Sequence, residues 1–182
     1  MPEESSLSGR RIAFLVAGEG IEQVELTEPW NAVQEAGGEP VLISPQSGKV
    51  QAFNHLDKGD TFDVDQTVSE ADPEGFAGLV LPGGVANPDA LRMDEDAVAF
   101  VKAFFEADKP VAAICHAGWM LAEAGAAKGR RLTSWPSLQT DLRNAGADWV
   151  DEEVVVDGNL VTSRKPDDLP AFNAELTELF SK

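Results

Sequence analysis

Cys115 is the sole cysteine among the 182 residues, and a titratable neighbour, His116, follows it directly. The pair closes an apolar run, Val111-Ala112-Ala113-Ile114, and opens onto small residues and Trp119-Met120-Leu121-Ala122. Such a run reads as a core strand passing into a helix, which sets the thiol at the tip of a sheet beside unpaired helix N–H groups. Those groups favour negative charge, and so favour thiolate over thiol. The chemistry on offer is nucleophilic attack by sulfur. The plainer reading is a small buried hydrophobe, the usual state of a free cysteine. Adjacent helical residues point about 100° apart, so His116 needs a third group to aim it at the sulfur.

Two other clusters carry chemistry-bearing residues. Glu19 and Glu22 stand in Gly18-Glu19-Gly20-Ile21-Glu22, and a glycine turn stands in Pro82-Gly83-Gly84. The acids either place negative charge at a helix N-terminus or serve a site. The glycines either make an ordinary turn or let backbone N–H groups approach a ligand closely. Gly18-x-Gly20 has Gln23 where a dinucleotide loop needs its third glycine, and no phosphate-binding loop is present, so no cofactor is expected. One cysteine excludes an intrachain disulfide and a cysteine-rich zinc site, and the two histidines, His55 and His116, make a histidine metal cluster unexpected. His55 reads as a solvated or interface residue in its own hairpin.

The elements that must position these residues follow from periodicity. Arg11 to Ala17 is a nearly unbroken apolar run, a strand covered on both faces. Apolar residues from Ile21 to Ala36 recur at helical spacing and stop at Gly37-Gly38. Pro40 to Ser44 is the next strand. Short alternations between Gly48 and Asp65 predict a small antiparallel hairpin. Ala77 to Leu81 is a core strand closed by Pro82-Gly83-Gly84, and Asp94 to Ala107 an amphipathic helix with Val98, Val101 and Phe105 on one face. A helix over Pro136–Asn144, a hairpin centred on Asp157-Gly158 and a final helix over Asp168–Phe180 complete the chain. Alternating strands and helices argue for an open, mostly parallel α/β sheet. The glutamates, the glycine turn and Cys115-His116 then fall at the carboxyl ends of three strands, where such sheets hold their sites.

Composition bounds the rest. The chain suits one domain over residues 11–182, preceded by a polar leader over residues 1–10 that is expected to be poorly ordered. The formal net charge is −18, from 32 acidic and 14 basic residues, so neither nucleic acid nor an anionic membrane is an expected partner. No signal segment or spanning apolar run is seen, and a reducing cytoplasm is the expected location.

Several stretches taken together resemble the ThiJ/PfpI superfamily and its PfpI-like intracellular protease and deglycase branch. They are Ile21-Glu22-Gln23-Val24-Glu25-Leu26, Leu81-Pro82-Gly83-Gly84, Ala113-Ile114-Cys115-His116, Thr133-Ser134-Trp135-Pro136, Val154 to Asn159 and Thr162-Ser163-Arg164. The resemblance runs from about Arg11 to the C-terminus. It implies a flavodoxin-like three-layer α/β sandwich, with a mostly parallel central sheet and a small antiparallel hairpin. Cys115 would be the nucleophile on a strained elbow, Glu22 would lie against the sulfur, and backbone N–H groups near Gly83, Gly84 and His116 would hold an oxyanion. It also implies a homo-oligomer, a dimer or larger, in which an acid from a neighbouring subunit orients the histidine. Asp89 occupies that position, one methylene shorter than the usual glutamate, and Ala117-Gly118 stands where Gly-Pro is usual. The implied activity is cysteine-dependent and stress-protective, on reactive aldehydes or early glycation adducts. An intracellular cysteine peptidase acting on peptides is the alternative, as is a non-catalytic redox-sensing protein or holdase.

Overall fold

Residues 6–182 are described by a computed structural model. Seven strands form the central sheet, in the order β11-β12-β8-β7-β1-β3-β6. In chain order they are β1 (Arg11–Leu15), β3 (Glu39–Ser44), β6 (Gln66–Thr67), β7 (Gly78–Leu81), β8 (Val111–Ile114), β11 (Val155–Asp157) and β12 (Leu160–Ser163). All neighbours pair in parallel except β11 with β12. The short runs of Val, Ile, Leu and Ala suit strands buried on both faces, because helices cover each side. Helices α1 (Gln23–Glu35) and α6 (Leu169–Phe180) close one face through Leu26, Val33, Phe172 and Leu176. The other face is closed by α3 (Glu95–Glu106), α4 (Gly118–Glu123) and α5 (Gln139–Asn144) through Phe100, Phe104, Met120, Leu121 and Leu142. This is the expected three-layer sandwich.

The chain lays β3 on one side of β1 and then crosses to β7 on the other. Strand order therefore reverses beside β1, and the carboxyl ends of β1, β7 and β8 border the crevice where α/β sheets carry ligands. A second sheet overhangs that crevice. It joins β2 (Glu19–Glu22) in parallel to β4 (Lys49–Asn54), which pairs antiparallel with β5 (Asp57–Asp63). A two-stranded parallel pair, β9 (Arg131–Leu132) and β10 (Asp148–Trp149), lies apart, and a short helix α2 (Ala86–Leu91) follows the glycine turn.

Four expectations shift in detail. The first helix begins at Gln23, because Glu19 to Glu22 is extended and pairs with β4. The buried stripe of α3 is Ala97, Phe100, Val101 and Phe104, with Val98 and Phe105 at its margins, and Asp94 caps the helix by accepting the Ala97 N–H. The late hairpin turns on Gly158-Asn159, one residue beyond the expected centre, with Asp157 paired to Leu160 and Gly158 at φ 58°. The leader is part of the fold from Leu7 onward. Leu7 is fully buried and donates its N–H to the Ala36 carbonyl at 2.9 Å, and the Arg10 guanidinium donates to the Phe180 carbonyl at 2.7 Å. Residues 1–5 of that leader lie outside the described residues.

Candidate active site

Cys115 leaves β8 at φ 62°, a left-handed conformation that costs a residue with a Cβ about 1–3 kcal/mol. The strand cannot continue from such a residue, so the chain reverses at once into a single 3-10 turn, Cys115–Ala117, before α4. The Trp135 N–H donates to the Cys115 carbonyl at 3.1 Å and braces the turn from outside. The sulfur meets the backbone N–H groups of Gly84 and His116, donors that favour a negative charge there.

The glycine turn after β7 is what allows this approach. A Cβ on Gly83 would meet the Cys115 Cβ and the Ile114 carbonyl oxygen, each at 2.7 Å, and would also strike the Glu25 carboxyl. Gly84 adopts φ 86°, and a Cβ there would run into the Gly20 carbonyl and the Glu22 N–H. Asn87 holds the turn in place. Its side-chain amide donates to the Pro82 and Gly83 carbonyls at 3.0 and 3.1 Å, while its oxygen accepts the Ala17 N–H at 2.7 Å.

Glu25, not Glu22, is the carboxyl at the sulfur. It sits in the first turn of α1, fully buried, beside Cys115 and the N–H groups of Gly83 and Gly84. These approaches fall short of full hydrogen-bond geometry, and both carboxyl oxygens are left without a well-formed partner. Burial, with the nearby Glu22 charge adding to it, pushes the Glu25 carboxyl up to about 8. Burial also pushes the Cys115 thiol up, and the Glu25 charge adds to this, against the smaller opposing pull of the Gly84 and His116 N–H groups. Burial and the Glu25 charge thus work against the thiolate expected from helix N–H groups. Only one irregular turn and the six-residue α4 follow the sulfur, too short a dipole to outweigh its desolvation.

Glu22 is displaced because it ends β2 as extended chain, with φ −66° and ψ 115°. Its carboxylate turns to the hairpin between β4 and β5 and accepts the His55 N–H at 3.1 and 3.3 Å. One sequence signal separates the two acids. Glu25 shares the buried i, i+4, i+8 row of α1 with Pro29 and Val33, and a carboxylate in an apolar row marks a site.

His116 needs no third group to reach the sulfur. Its Nδ1 lies 3.2 Å from Cys115 Sγ, because Cys115 is not helical and the usual angular separation of neighbours does not hold. The imidazole stacks on Trp135, with centroids 5.7 Å apart at 22°, and meets Trp119 edgewise at 5.3 Å. Trp119 is fixed in turn by its indole N–H, which donates to Asp141 at 3.1 Å. Burial lowers the His116 pKa, which favours the neutral ring. Asp89 lies on the exposed side of α2 and lines a separate cavity of about 550 Å³ with Gln46 and Lys49. Within one chain it does not join the Cys115 cavity.

That cavity holds about 440 Å³. Cys115, Glu25, His116 and Gly84 border it, Phe53, Val85 and Trp135 give apolar wall, and Glu19, Glu22, His55 and Leu56 also line it. Periodicity and spacing alone did not disclose Glu25, Asn87 or the two tryptophans. Trp135 falls in the family-like stretch Thr133-Ser134-Trp135-Pro136, and Asn87 carries no signal in the sequence at all.

The model of the DJ-1/PfpI family matches residues 10–179. Deglycase TK1284 of Thermococcus kodakarensis is 45% identical over 166 residues, which are 91% of this chain and 97% of that protein. Putative cysteine protease YraA of Bacillus subtilis is 43% identical over 170 residues, 93% of this chain and 98% of that protein. Among solved structures, Drosophila melanogaster DJ-1beta superposes with a TM-score of 0.86 at 27% identity, covering 97% of this chain and 92% of that one.

Proposed function

We propose that this chain, which belongs to the DJ-1/PfpI family, is a cysteine-dependent enzyme acting on small reactive carbonyls or their early adducts with amines and thiols. The observation that carries the reading is the approach of Glu25 and His116 Nδ1 to one sulfur on the floor of a cavity. Burial favours the protonated carboxyl, the protonated thiol and the neutral imidazole. Neutral His116 takes the thiol proton as Sγ attacks the aldehyde carbon. The protonated Glu25 donates to the oxygen that would otherwise become an alkoxide, and the Gly84 and His116 N–H groups stabilise the charge that develops beside the buried sulfur.

The hemithioacetal then passes a proton from the attacked carbon to its neighbouring carbonyl carbon, with Glu25 and His116 as carriers. The attacked carbon is oxidised to the thioester level and its neighbour is reduced to an alcohol. Water releases the hydroxy acid and restores the thiol. From a hemiaminal the sulfur displaces the amine, which leaves carrying a proton, and the same hemithioacetal forms, so 2-oxoaldehyde plus water balances 2-hydroxy acid without external electrons. A second copy of the chain would bring Asp89 toward His116, and the expected homo-oligomer belongs to this reading. Among the described residues no helix is long and apolar enough to cross a membrane.

A peptidase reading draws support from the name of the YraA relative. Against it stands a cavity of about 440 Å³ overhung by the His55-Leu56 turn, a shape for a small molecule more than for an extended peptide. Turnover of methylglyoxal and of methylglyoxal-treated N-acetylarginine, measured beside an unstructured peptide, decides between them. Carbonyl turnover is expected in the wild type and absent in Cys115→Ala. Turnover that survives Cys115→Ala removes the mechanism, and cleavage of the peptide alone favours the peptidase.

A further inference from the structure

The role left open for Glu22 is set by where its carboxylate stands. It lines the mouth of the Cys115 cavity with Glu19, and among the described residues no Lys or Arg lines that cavity. Deeper in, Glu25 is fully buried and borders the same space with both oxygens lacking a well-formed partner. Glu22 is held by a neutral donor, the His55 backbone N–H, so its charge is kept in place but not cancelled. The His55 imidazole is 3.8 Å away, but its side chain is 87% exposed, where water screens it. The Glu22 charge is felt inside the site, since it helps to raise the Glu25 carboxyl. Around these acids, Phe53, Val85 and Trp135 offer apolar wall.

We infer that Glu22, seconded by Glu19, makes the mouth a subsite for a cationic group, so that the pocket selects carbonyl adducts bearing an ammonium or guanidinium over aldehydes bearing a carboxylate. The inference rests on the reading of Cys115 as a carbonyl-directed nucleophile, and goes beyond it in naming the charge of the substrate and the residue that reads it. A Lys- or Arg-like stem would lie along the apolar wall, its cation between Glu22 and the Trp135 face. Carboxylated aldehydes would meet fixed negative charge in a low-dielectric cleft, where electrostatic effects on entry are amplified.

Charge-matched thiol reagents test this without any assumption about the reaction, since the chain has one cysteine. Methanethiosulfonates carrying a trimethylammonium, an ethyl or a sulfonate group are timed on the native protein, each rate divided by that of a small free thiol. The normalised cation-to-anion ratio is expected at about tenfold or more at low ionic strength, falling as salt is added. In Glu22→Gln it should collapse toward one, and in Glu19→Gln fall in part. If losing Glu22 merely loosens the hairpin, all three rates rise together and the ratio stays high. That result, or a wild-type ratio near one, overturns the inference. A high ratio that depends on Glu22 upholds the subsite even where no carbonyl is turned over, an outcome that would sink the proposed reaction alone. Where carbonyls are turned over, methylglyoxal-treated N-acetylarginine amide should outcompete a 2-oxoaldehyde bearing a terminal carboxylate in the wild type and lose that advantage in Glu22→Gln.

Discussion

Glu25 and Cys115 occupy one buried site as two acids: burial raises both, the Glu25 charge raises the thiol further, and the thiol's approach to the carboxyl lowers Glu25 in part. The two titrate as a coupled pair, in which a charge formed on Glu25 opposes loss of the thiol proton. Reactivity at such a pair depends on moving a proton within the site, not on a standing thiolate.

Replacing Glu25 by Gln should lower turnover by about a hundredfold or more, since a positioned proton donor and acceptor is lost. The same change should stabilise the fold in a pH-dependent way. Native Glu25 holds its proton up to about 8, whereas 4.5 is the ordinary value that the unfolded chain follows. Below the lower value both states are protonated and the contribution to stability is whole. Between the two values folding must take up a proton, so wild-type stability falls by about 1.4 kcal/mol per pH unit. Chemical denaturation at several pH values should show Glu25→Gln gaining on wild type from about pH 5 to 8 and then keeping a constant lead.

Gly84→Ala is expected to destabilise the protein by about 1–3 kcal/mol or more, from its left-handed φ and from the collision with Gly20 and Glu22. Gly48 supplies the control, with φ +88° and nothing within 4 Å of an added Cβ. Gly48→Ala should show the strain alone and keep its turnover. Equal losses in the two variants would mean that the close approach at Gly84 does not matter.

The tryptophan stack should matter through His116. Trp135→Phe keeps a ring over the imidazole, and its kcat should stay within about threefold of wild type, while Trp135→Leu should lose about ten- to a hundredfold. With only two histidines in the chain, the His116 ring protons can be followed directly by NMR. Their ring-current displacement should persist in the Phe variant and relax in the Leu variant. A lost rate with an unmoved His116 signal would assign Trp135 to the pocket wall instead.

Asp89→Asn tests the contribution of a neighbouring subunit. If a second copy brings this acid to His116, kcat should fall while the denaturation midpoint stays put, because Asp89 is exposed within its own chain. Unchanged kcat at concentrations where the protein is oligomeric would remove Asp89 from the site.

The strand-rich half of the fold was readable because buried parallel strands leave blunt apolar runs, as Arg11–Leu15 and Val111–Ile114 do. The elements missed, β2, β6, α2, β9 and β10, are six residues or fewer and are held by tertiary contacts that local periodicity does not record. The elbow was legible at Cys115, since strand, thiol and small residues follow one another. Its carboxyl partner was not, because the apolar row that sets Glu25 apart from Glu19 and Glu22 carries weight only once the chain is known to stay extended through Glu22. The positioning of His116 was also hidden. It depends on Cys115 adopting positive φ, a property that a single residue's chemistry does not announce.

The strand that carries the nucleophile is hemmed in by β7 on one side and β12 on the other. The second neighbour is made of residues 160–163, near the end of the chain, and α6 packs behind it. A chain truncated before Leu160 would keep Val111–Ile114 and lose its cover, turning a central apolar strand into an open edge. Open edges recruit other chains. Truncation would therefore convert the most protected part of the enzyme into its point of aggregation.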